Sequence, residues 1–331
     1  MNTLVNLPAG FFTHPYLAPA WARLQKQSAV RFTSHDDAAA FASELHDIEA
    51  VLMWSWPAWT PQLLAAAPRL GFAGHIDITQ SGAKEILQRD VAVSISRHGF
   101  SPAVAEMALA LLLNLLRGVS DYHAQMRSGK EAWVEQFPGD IPLLERELSK
   151  ADVGIIGFGR VGQRLAQLLA PFECTLRVYD PFTPAGVLQD YGAQSVSLDA
   201  LLAQSDAVVL CAASNDGSRH LLGQHEIELL KRDAIFLNVA RAALVDTAAL
   251  CARLEQGDLI AALDVFDREP LAVDSVLRSL PNVFLTPHRA GGTLASVART
   301  VNWLIDDLEA HCAGQPLRHA LVPAMLPSLD T

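Results

Sequence analysis

The sequence predicts an α/β protein of two domains, each built on a parallel sheet, with a cleft between the domains. Three observations lead to this prediction. Short apolar runs alternate with helical stretches along almost the whole chain, as a parallel sheet covered by helices requires. A glycine-rich strand–turn–helix unit lies near the middle of the chain, and the last apolar helix has no strand of its own to cover. This order of elements is typical of Rossmann-like or flavodoxin-like domains.

Composition is compatible with two domains and restricts the partners. The chain has 331 residues, half of them apolar, and domains usually have about 100–200 residues. The formal net charge of −11 argues against nucleic acid and anionic membranes as partners. Four dispersed cysteines suggest neither disulfides nor a zinc site, so no metal is expected. Without a signal-peptide pattern or an apolar run of about 20 residues, we expect a soluble, cytoplasmic protein.

The first domain is predicted to be discontinuous, with residues 1–101 and 290–331, and to bind the substrate. Its strands are expected at Ala29–Phe32, Ala50–Trp54, Leu70–Ala73 and Val91–Ser94. Helices are expected around Phe41–Leu45, Pro61–Ala67 and Ala83–Gln88. The apolar helix at roughly Leu294–His311 follows the last strand of the chain, so we expect it to pack on this domain.

The second domain, residues 102–289, is predicted to begin with a buried helix. Ser101 suits an N-cap and Pro102 a first helical position. Apolar residues from Ala103 to Leu116 cover every side of this helix, which indicates burial. Six strands of a Rossmann domain should follow, at Val153–Ile156, Leu176–Tyr179, Ala207–Cys211, Ala234–Leu237, Ile260–Val265 and Val283–Leu285.

The segment from Ala151 to Asp180 has the pattern of a dinucleotide-binding βαβ unit. A buried strand is followed directly by Gly157-Phe158-Gly159-Arg160-Val161-Gly162 and a helix. The three glycines suit, in order, a tight turn, close approach of a pyrophosphate and close packing of the helix on the strand. Asp180 at the end of the next strand can accept hydrogen bonds from ribose hydroxyls and would repel a 2′-phosphate, so NAD is favoured over NADP. An ordinary βα turn and a methyltransferase loop are the alternatives.

Three polar residues each follow a later strand of this domain, where folds of this type bind ligands: Arg241, Glu269 and His288. Taken singly, they could be a surface arginine, a loop acid and a histidine with satisfied hydrogen bonds. Together they provide a guanidinium that fits a carboxylate, an imidazole that can exchange protons near neutral pH, and a carboxylate to orient that imidazole.

With these segments in their order, the chain from about Ser101 to Gly292 resembles the D-isomer-specific 2-hydroxyacid dehydrogenase family, which includes phosphoglycerate dehydrogenases and glyoxylate/hydroxypyruvate reductases. The match includes Val104-Ala105-Glu106, the glycine loop and Val178-Tyr179-Asp180-Pro181. The resemblance implies an NAD(H)-dependent oxidoreductase that interconverts a 2-oxo acid and a D-2-hydroxy acid. It also implies a homodimer formed largely through the nucleotide domains.

The resemblance assigns roles to individual residues. His288 matches the family's acid/base, Glu269 the residue that orients it, and Arg241 the substrate-binding arginine. Asp264 resembles the family's ligand of the nicotinamide carboxamide. The full set of residues expected at the cofactor is Gly157, Gly159, Arg160, Val161, Gly162, Asp180, Ala212, Ala213, Ser218, Val239, Ala240, Arg241, Asp264, His288 and Gly291.

The chain departs from the family pattern mainly in the first domain. Ala73, Gly74 and His75 stand where relatives have a longer glycine-rich loop that binds the substrate carboxylate, and we assign them to that loop. Arg97 and His98 replace the asparagine and proline that are frequent in relatives, so Arg97 or His98 is a candidate to bind a second anionic or polar group of the substrate. A solvated arginine beside a helix start is the alternative. In the second domain, Ala242 follows Arg241 where the family usually has glycine.

Two other functions remain open at this point. An NAD-sensing regulatory protein could use the same fold, although it would have no need of all three catalytic residue types. Oxidation of a non-carbon hydride donor such as phosphite would use the same triad.

Overall fold

The computed structural model describes residues 1–130, 133–142 and 144–329, and the chain divides into two compact units. Unit 1 joins Met1–Phe100 with Gly292–Thr331, and unit 2 comprises Ser101–Gly291. The boundaries expected from the sequence lie one or two residues away. Both units contain a sheet in which every pair of named strands is parallel, so the predicted fold class is confirmed.

Unit 1 has a five-stranded sheet in the order β2-β1-β3-β4-β5. Its strands are β1 (Asn2–Asn6), β2 (Ala29–Thr33), β3 (Ala50–Met53), β4 (Phe72–His75) and β5 (Ala92–Ile95). Its helices are α1 (Gly10–Thr13), α2 (Ala18–Gln25), α3 (Ala38–Glu44), α4 (Pro61–Ala66), α5 (Gln80–Ile86) and the last helix of the chain, α13 (Leu294–Cys312). Leu304, Ile305 and Leu308 of α13 share a buried cluster with Leu52 and Phe72 of the sheet.

Strand β1 is absent from the sequence-based prediction, which places the first strand at Ala29. Its sequence, Asn-Thr-Leu-Val-Asn, has too few apolar residues to form a strand pattern. The tertiary structure satisfies its polar ends. The Asn6 amide oxygen accepts hydrogen bonds from Thr33 Oγ1 and His35 N, and its Nδ2 donates to the carbonyls of His35 and Trp56.

Unit 2 has a seven-stranded sheet in the order β12-β11-β10-β9-β6-β7-β8. Its strands are β6 (Asp152–Ile156), β7 (Thr175–Tyr179), β8 (Ala193–Ser195), β9 (Ala207–Leu210), β10 (Ala234–Asn238), β11 (Leu259–Leu263) and β12 (Val283–Leu285). Its helices are α6 (Ser101–Arg117), α7 (Val119–Arg127), α8 (Arg160–Leu169), α9 (Ala185–Gln189), α10 (Leu198–Gln204), α11 (Gln224–Leu229) and α12 (Thr247–Glu255). The prediction of six strands missed β8, a three-residue edge strand with two exposed polar residues.

Helix α6 differs from the prediction at its start. A 3-10 turn, Arg97–Phe100, leads directly into the helix, so Ser101 lies inside the helical run and is not its N-cap. The run Arg97–Arg117 is long and apolar enough to cross a membrane by length and composition alone. However, Ala105, Ala108 and Leu112 are completely buried in the main cluster of unit 2, as in a core helix of a globular protein.

Candidate active site

The glycine loop between β6 and α8 has the tight geometry that its sequence suggests. Gly157 has φ of +88°, a region that side chains other than glycine rarely adopt. A Cβ atom on Gly157 would lie 2.4 Å from the Cα of Ala212, and one on Gly162 would lie 2.4 Å from the carbonyl oxygen of Gly157. Close contacts within the protein therefore require glycine at both positions, whether or not a cofactor is bound.

Gly159 is different, because it borders open space. No heavy atom lies within 4 Å of the position of its missing Cβ. Gly159 is also the N-cap of α8, and no side chain caps this helix. The first amides of a helix attract phosphate groups, so the open space beside Gly159 fits a pyrophosphate. Arg160 is exposed and Val161 half-buried at this end of the helix.

Asp180, directly after β7, is held by three backbone amides. Its Oδ2 accepts a hydrogen bond from Phe158 N at 2.6 Å, and its Oδ1 accepts from Phe182 N at 2.8 Å and Thr183 N at 3.0 Å. The carboxylate thus joins the end of β7 to the glycine loop in a fixed orientation. Because an ionised carboxylate has about four lone-pair directions and three are used here, it can still accept a hydrogen bond from a ribose hydroxyl. The residues present fit an NAD molecule.

The loop after β9 faces the glycine loop through Ala212. Here Ser218 stabilises the chain, since its hydroxyl donates to the Ala213 carbonyl at 2.9 Å and accepts from Asn215 N at 2.9 Å. The cofactor contacts expected of Ala212, Ala213 and Ser218 stay predictions, as do those of Gly291 and of the buried residues Val239 and Ala240.

Arg241 follows β10 and is positioned by Asn238, which was not predicted as a site residue. Asn238 is buried; its Oδ1 accepts from Ala240 N at 3.0 Å, and its Nδ2 donates to the Arg241 carbonyl at 3.1 Å. The Arg241 guanidinium donates to the Ala240 carbonyl at 2.9 Å. The available signal for Asn238 was an amide at the end of an otherwise apolar strand. Ala242 begins a 3-10 turn and has no positive φ, so the absence of glycine here causes no strain.

Glu269 and His288 form a hydrogen-bonded pair, with 2.7 Å between Glu269 Oε2 and His288 Nδ1. The other carboxylate oxygen, Oε1, accepts from Phe266 N at 3.1 Å. Burial raises the pKa of Glu269, but the hydrogen bonds from His288 and Phe266 and the positive charges of His288 and Arg241 outweigh it, so the pKa lies below its usual value. Glu269 is therefore ionised at neutral pH.

Asp264, after β11, is completely buried and organises the segment that carries His288. Its Oδ1 accepts from Thr286 Oγ1 at 2.6 Å and Arg289 N at 2.9 Å, and its Oδ2 accepts from Ala290 N at 2.9 Å. The backbone N–H of His288 donates to the Asp264 carbonyl at 2.9 Å. The predicted contact of Asp264 with a nicotinamide carboxamide stays a prediction, and the structure adds a positioning role that the sequence did not suggest.

The structure contradicts the predicted loop at residues 73–75, while a contact of these residues with substrate stays a prediction. Ala73, Gly74 and His75 lie within β4, where they pair with β3 on one side and β5 on the other, and all are buried. The strand begins two residues later than predicted because Leu70 still belongs to the turn after α4, where its N–H donates to the Ala67 carbonyl.

The side chains of His75 and Arg97, also predicted to bind substrate, have protein partners in unit 1. His75 Nδ1 lies 3.0 Å from the Trp54 carbonyl, and its Nε2 accepts from Trp59 Nε1 at 3.0 Å. Arg97 follows β5 closely, and its Nη1 lies 3.5 Å from Asp77 Oδ1. Substrate binding by Arg97 stays a prediction.

A cavity of about 600 Å³ in unit 2 borders two of the three catalytic candidates, Glu269 and His288, and also has Thr286 in its wall. This volume is in the usual range of small-molecule sites. The side chains of His288 and Glu269 are 46% and 37% exposed, so both are accessible to a ligand. Elsewhere, Asp199, His225 and Glu226 lie close enough together to hold a metal ion, but Glu226 already accepts a hydrogen bond from Gly223 N.

Comparison with known proteins gives consistent results. The model of the D-isomer specific 2-hydroxyacid dehydrogenase, NAD binding domain, matches residues 109–290. The (S)-sulfolactate dehydrogenase of Chromohalobacter salexigens is 31% identical over 297 residues, 87% of this chain and 93% of that protein. The D-3-phosphoglycerate dehydrogenase of Archaeoglobus fulgidus is 29% identical over 86% of this chain, which spans only 54% of that protein's length. A solved 2-hydroxyacid dehydrogenase from Ketogulonicigenium vulgare has a TM-score of 0.79 and 29% identity, covering 97% of this chain and 99% of that one.

Proposed function

Because the chain belongs to the D-isomer specific 2-hydroxyacid dehydrogenase family, we propose that it interconverts a 2-oxo acid and a D-2-hydroxy acid with Arg241, Glu269 and His288 as catalytic residues. NAD as cofactor and oxidoreductase as enzyme class follow from the family. The observation that carries the residue assignment is the 2.7 Å hydrogen bond between Glu269 and His288. It joins an acid–base group to an ionised carboxylate at the wall of a ligand-sized cavity.

Each residue of the pair has a defined task in the reduction. Bound NADH supplies the hydride that reduces C2 of the 2-oxo acid. The hydrogen bond at Nδ1 orients the His288 ring and leaves Nε2 free to donate a proton to the carbonyl oxygen, which becomes the hydroxyl of the product. The Glu269 carboxylate stabilises the imidazolium before this transfer. In the oxidation, Nε2 takes the proton back.

Arg241 is suited to hold the substrate carboxylate. Its planar guanidinium can form two parallel hydrogen bonds with a carboxylate, and its charge also polarises the neighbouring carbonyl. Asn238 fixes the backbone that carries this side chain, because it donates to the Arg241 carbonyl and accepts from Ala240 N. The influence of Arg241 on the pKa of Glu269 supports a common site for all three residues.

The first test is NADH oxidation with glyoxylate, hydroxypyruvate, pyruvate and bulkier 2-oxo acids, for the natural protein and for Glu269→Gln. We expect Glu269→Gln to lower kcat about 10²–10⁴-fold, as loss of general acid–base support does. As the pH is raised, the rate of reduction by Glu269→Gln should begin to decline at a lower pH than that of the natural protein. The reason is that a neutral amide no longer stabilises the protonated imidazole. The Kd of NADH, measured by fluorescence, should stay the same.

The matched control is Glu228→Gln, which removes an exposed glutamate of α11 and should leave all parameters unchanged. Tight NADH binding without turnover of any 2-oxo acid would contradict the proposed activity and favour an NAD-sensing protein. Turnover of phosphite with NAD would instead favour a non-carbon hydride donor.

We also propose that the protein is a homodimer located in the cytoplasm. Unit 2 exposes several large apolar side chains within residues 119–144, among them Trp133 and Phe137. Exposed apolar surface of this kind is typical of subunit interfaces. The cytoplasmic location is supported by four free cysteines, which are compatible with a reducing compartment. The net charge of −11 continues to argue against nucleic acid and membrane partners.

A further inference from the structure

Unit 2 contains a second cavity, of about 290 Å³, which no step of the proposed reaction uses. It lies between α12 and the segment that follows β11. Its wall is mainly apolar and includes Val245, Leu250, Leu263, Val265 and Leu277. A volume near 300 Å³ is at the small end of ligand sites and suits a compact molecule.

The cavity wall includes the residues that position both Arg241 and Glu269. On one side, Asn238 lines the cavity, and this side chain holds the backbone of Arg241 through the hydrogen bond to its carbonyl. On the other side, Phe266 lines the cavity, and its N–H donates to Glu269 Oε1. A molecule in the cavity would therefore contact the supports of two catalytic candidates at once.

The same wall separates the two cavities of unit 2. Phe266 and Leu271 line both the 290 Å³ cavity and the 600 Å³ cavity that borders Glu269 and His288. A molecule in the smaller cavity would therefore contact two side chains that also border the larger one. Because packed side chains leave few voids to absorb a shift, any displacement of Phe266 or Leu271 would change the shape of the larger cavity.

The charges at the cavity indicate what it binds. Asp267 and Arg268 are adjacent, exposed at the surface and part of the wall, whereas the interior is apolar. A carboxylate beside a guanidinium is complementary to a zwitterion, and the apolar interior to a hydrocarbon or aromatic body. We propose that this cavity is an effector site for a small amphipathic zwitterion, such as an apolar α-amino acid, that modulates the proposed dehydrogenase through Asn238 and Phe266. This proposal rests on the proposed function.

Cys251, which lines the cavity, allows its occupancy to be controlled covalently. Burial together with the charges of Glu255 and Asp267 raises the pKa of this thiol, so labelling with benzyl methanethiosulfonate is done at about pH 9. We expect labelling to change kcat/KM for hydroxypyruvate by about fivefold or more, with an unchanged Kd for NADH. Dithiothreitol should reverse the effect, and Cys251→Ala treated in the same way should show none. Unchanged kinetics of fully labelled protein would overturn the coupling.

The ligand class is tested with L-leucine and L-phenylalanine, and with L-serine as a polar control. We expect the two apolar amino acids to raise the Tm of the natural protein and to change the KM for hydroxypyruvate. Both effects should reach saturation by an amino acid concentration of about 10 mM, which corresponds to weak effector binding. Serine should have no effect, and labelling of Cys251 should abolish the Tm shift. Absence of a Tm shift with both apolar amino acids would overturn the ligand assignment. Since Tm needs no turnover, it also separates this result from a failure of the proposed activity.

Discussion

At the scale of single residues, carboxylates that accept backbone N–H groups organise the candidate site. Asp180 holds the glycine loop against the end of β7, and Asp264 holds the segment that carries His288. Hydrogen bonds to charged groups contribute about 1.5–3 kcal/mol each, and an N–H left without its acceptor costs about as much. Each carboxylate thus has a structural task in addition to the ligand contact that its position suggests.

Asp180 can be tested for both tasks at once. Asp180→Ala should narrow the preference for NADH over NADPH, because the negative charge that repels a 2′-phosphate is lost, and should weaken NADH binding as the glycine loop loses an anchor. Asp180→Asn keeps one acceptor oxygen without the charge, so it should narrow the preference while perturbing the loop less. The measurement is Kd for both nucleotides by fluorescence. An unchanged ratio of the two Kd values in both variants would refute the role of the charge.

His75 makes the stability of the protein depend on pH. Burial lowers its pKa to about 4, although the hydrogen bond to the Trp54 carbonyl favours the charged form. An unfolded histidine titrates near pH 6.5, so between that pH and about 4 the unfolded chain binds a proton that the folded chain does not. The free energy of unfolding should therefore fall as the pH is lowered through this window, by up to about 1.4 kcal/mol per pH unit.

We expect His75→Gln to reduce that slope, because an amide can donate to Trp54 and accept from Trp59 without titrating. The measurement is urea unfolding at several pH values between 4 and 7, followed by tryptophan fluorescence, since Trp59 is the direct partner of His75. Exposed His225 provides the matched control variant, His225→Gln, which should keep the natural slope. An identical slope in His75→Gln and the natural protein would contradict the assignment.

The residue types at the site could be predicted from the sequence, but their supports could not. Arg241, Glu269 and His288 each follow a strand, and a parallel sheet brings such positions to one edge. Asn238 offers only an amide at the end of an apolar strand, and Thr286 has no local signal, since their roles depend on partners brought together by the fold. Ala73, Gly74 and His75 were expected in a loop but lie in β4, because the turn after α4 moves the start of this strand by two residues.

At the scale of elements, strands with an apolar run were predicted to within a few residues, whereas β1 and β8 were missed. Both missed strands are rich in polar residues, and their place in the sheet comes from neighbouring strands and side-chain hydrogen bonds. Helix α6 was predicted to be buried on every side, but only part of it is: Ala105, Ala108 and Leu112 are fully buried, whereas Ala110 is exposed and Leu113 half-buried. Its start was predicted wrongly, since nothing local distinguishes an N-cap serine from one that continues a 3-10 turn.

The turn between β6 and α8 allows folding and cofactor binding to be separated by two alanine substitutions. Gly162→Ala puts a methyl group 2.4 Å from the Gly157 carbonyl oxygen, so we expect a loss of about 1–3 kcal/mol in the free energy of unfolding without cofactor. Gly159→Ala meets no protein atom within 4 Å and should change stability by less than about 0.5 kcal/mol. It should nevertheless weaken NADH binding, because the methyl group occupies the space that the pyrophosphate needs.

Urea unfolding of the protein without cofactor and NADH titration of both variants test this distinction. Gly217→Ala, at a glycine exposed in the loop after β9, can serve as a neutral loop control for unfolding. Unaltered NADH affinity in Gly159→Ala would mean that the phosphates bind elsewhere.

At the scale of the whole molecule, unit 1 is discontinuous in sequence because the final helix returns to it. The clue in the sequence was an apolar helix after the last strand, and α13 indeed packs on the sheet of unit 1. Its buried Asp307 also accepts hydrogen bonds from Ser94 Oγ and from the amides of Arg318 and His319. The C-terminal segment is thereby tied to β5, and Leu321 N donates to the Val93 carbonyl there.

The proposed homodimer depends on surface residues, and unit 2 exposes several large apolar side chains that are near each other in sequence. Trp133 and Phe137 are 67% and 77% exposed, and Val119, Met126 and Val134 are exposed nearby in sequence. Apolar surface left in water costs about 25 cal/mol for each Å², and its burial between two subunits would recover that free energy. We therefore expect the protein to sediment at twice the chain mass of 35.8 kDa at micromolar concentration.

The double variant Trp133→Asp with Phe137→Asp tests whether this surface forms the interface. It should sediment as a monomer, since burial of two carboxylates opposes association. Val273→Asp changes an even more exposed apolar residue outside this segment and should remain dimeric. A natural protein that sediments as a monomer, or a double variant that stays dimeric, would exclude this surface as the interface.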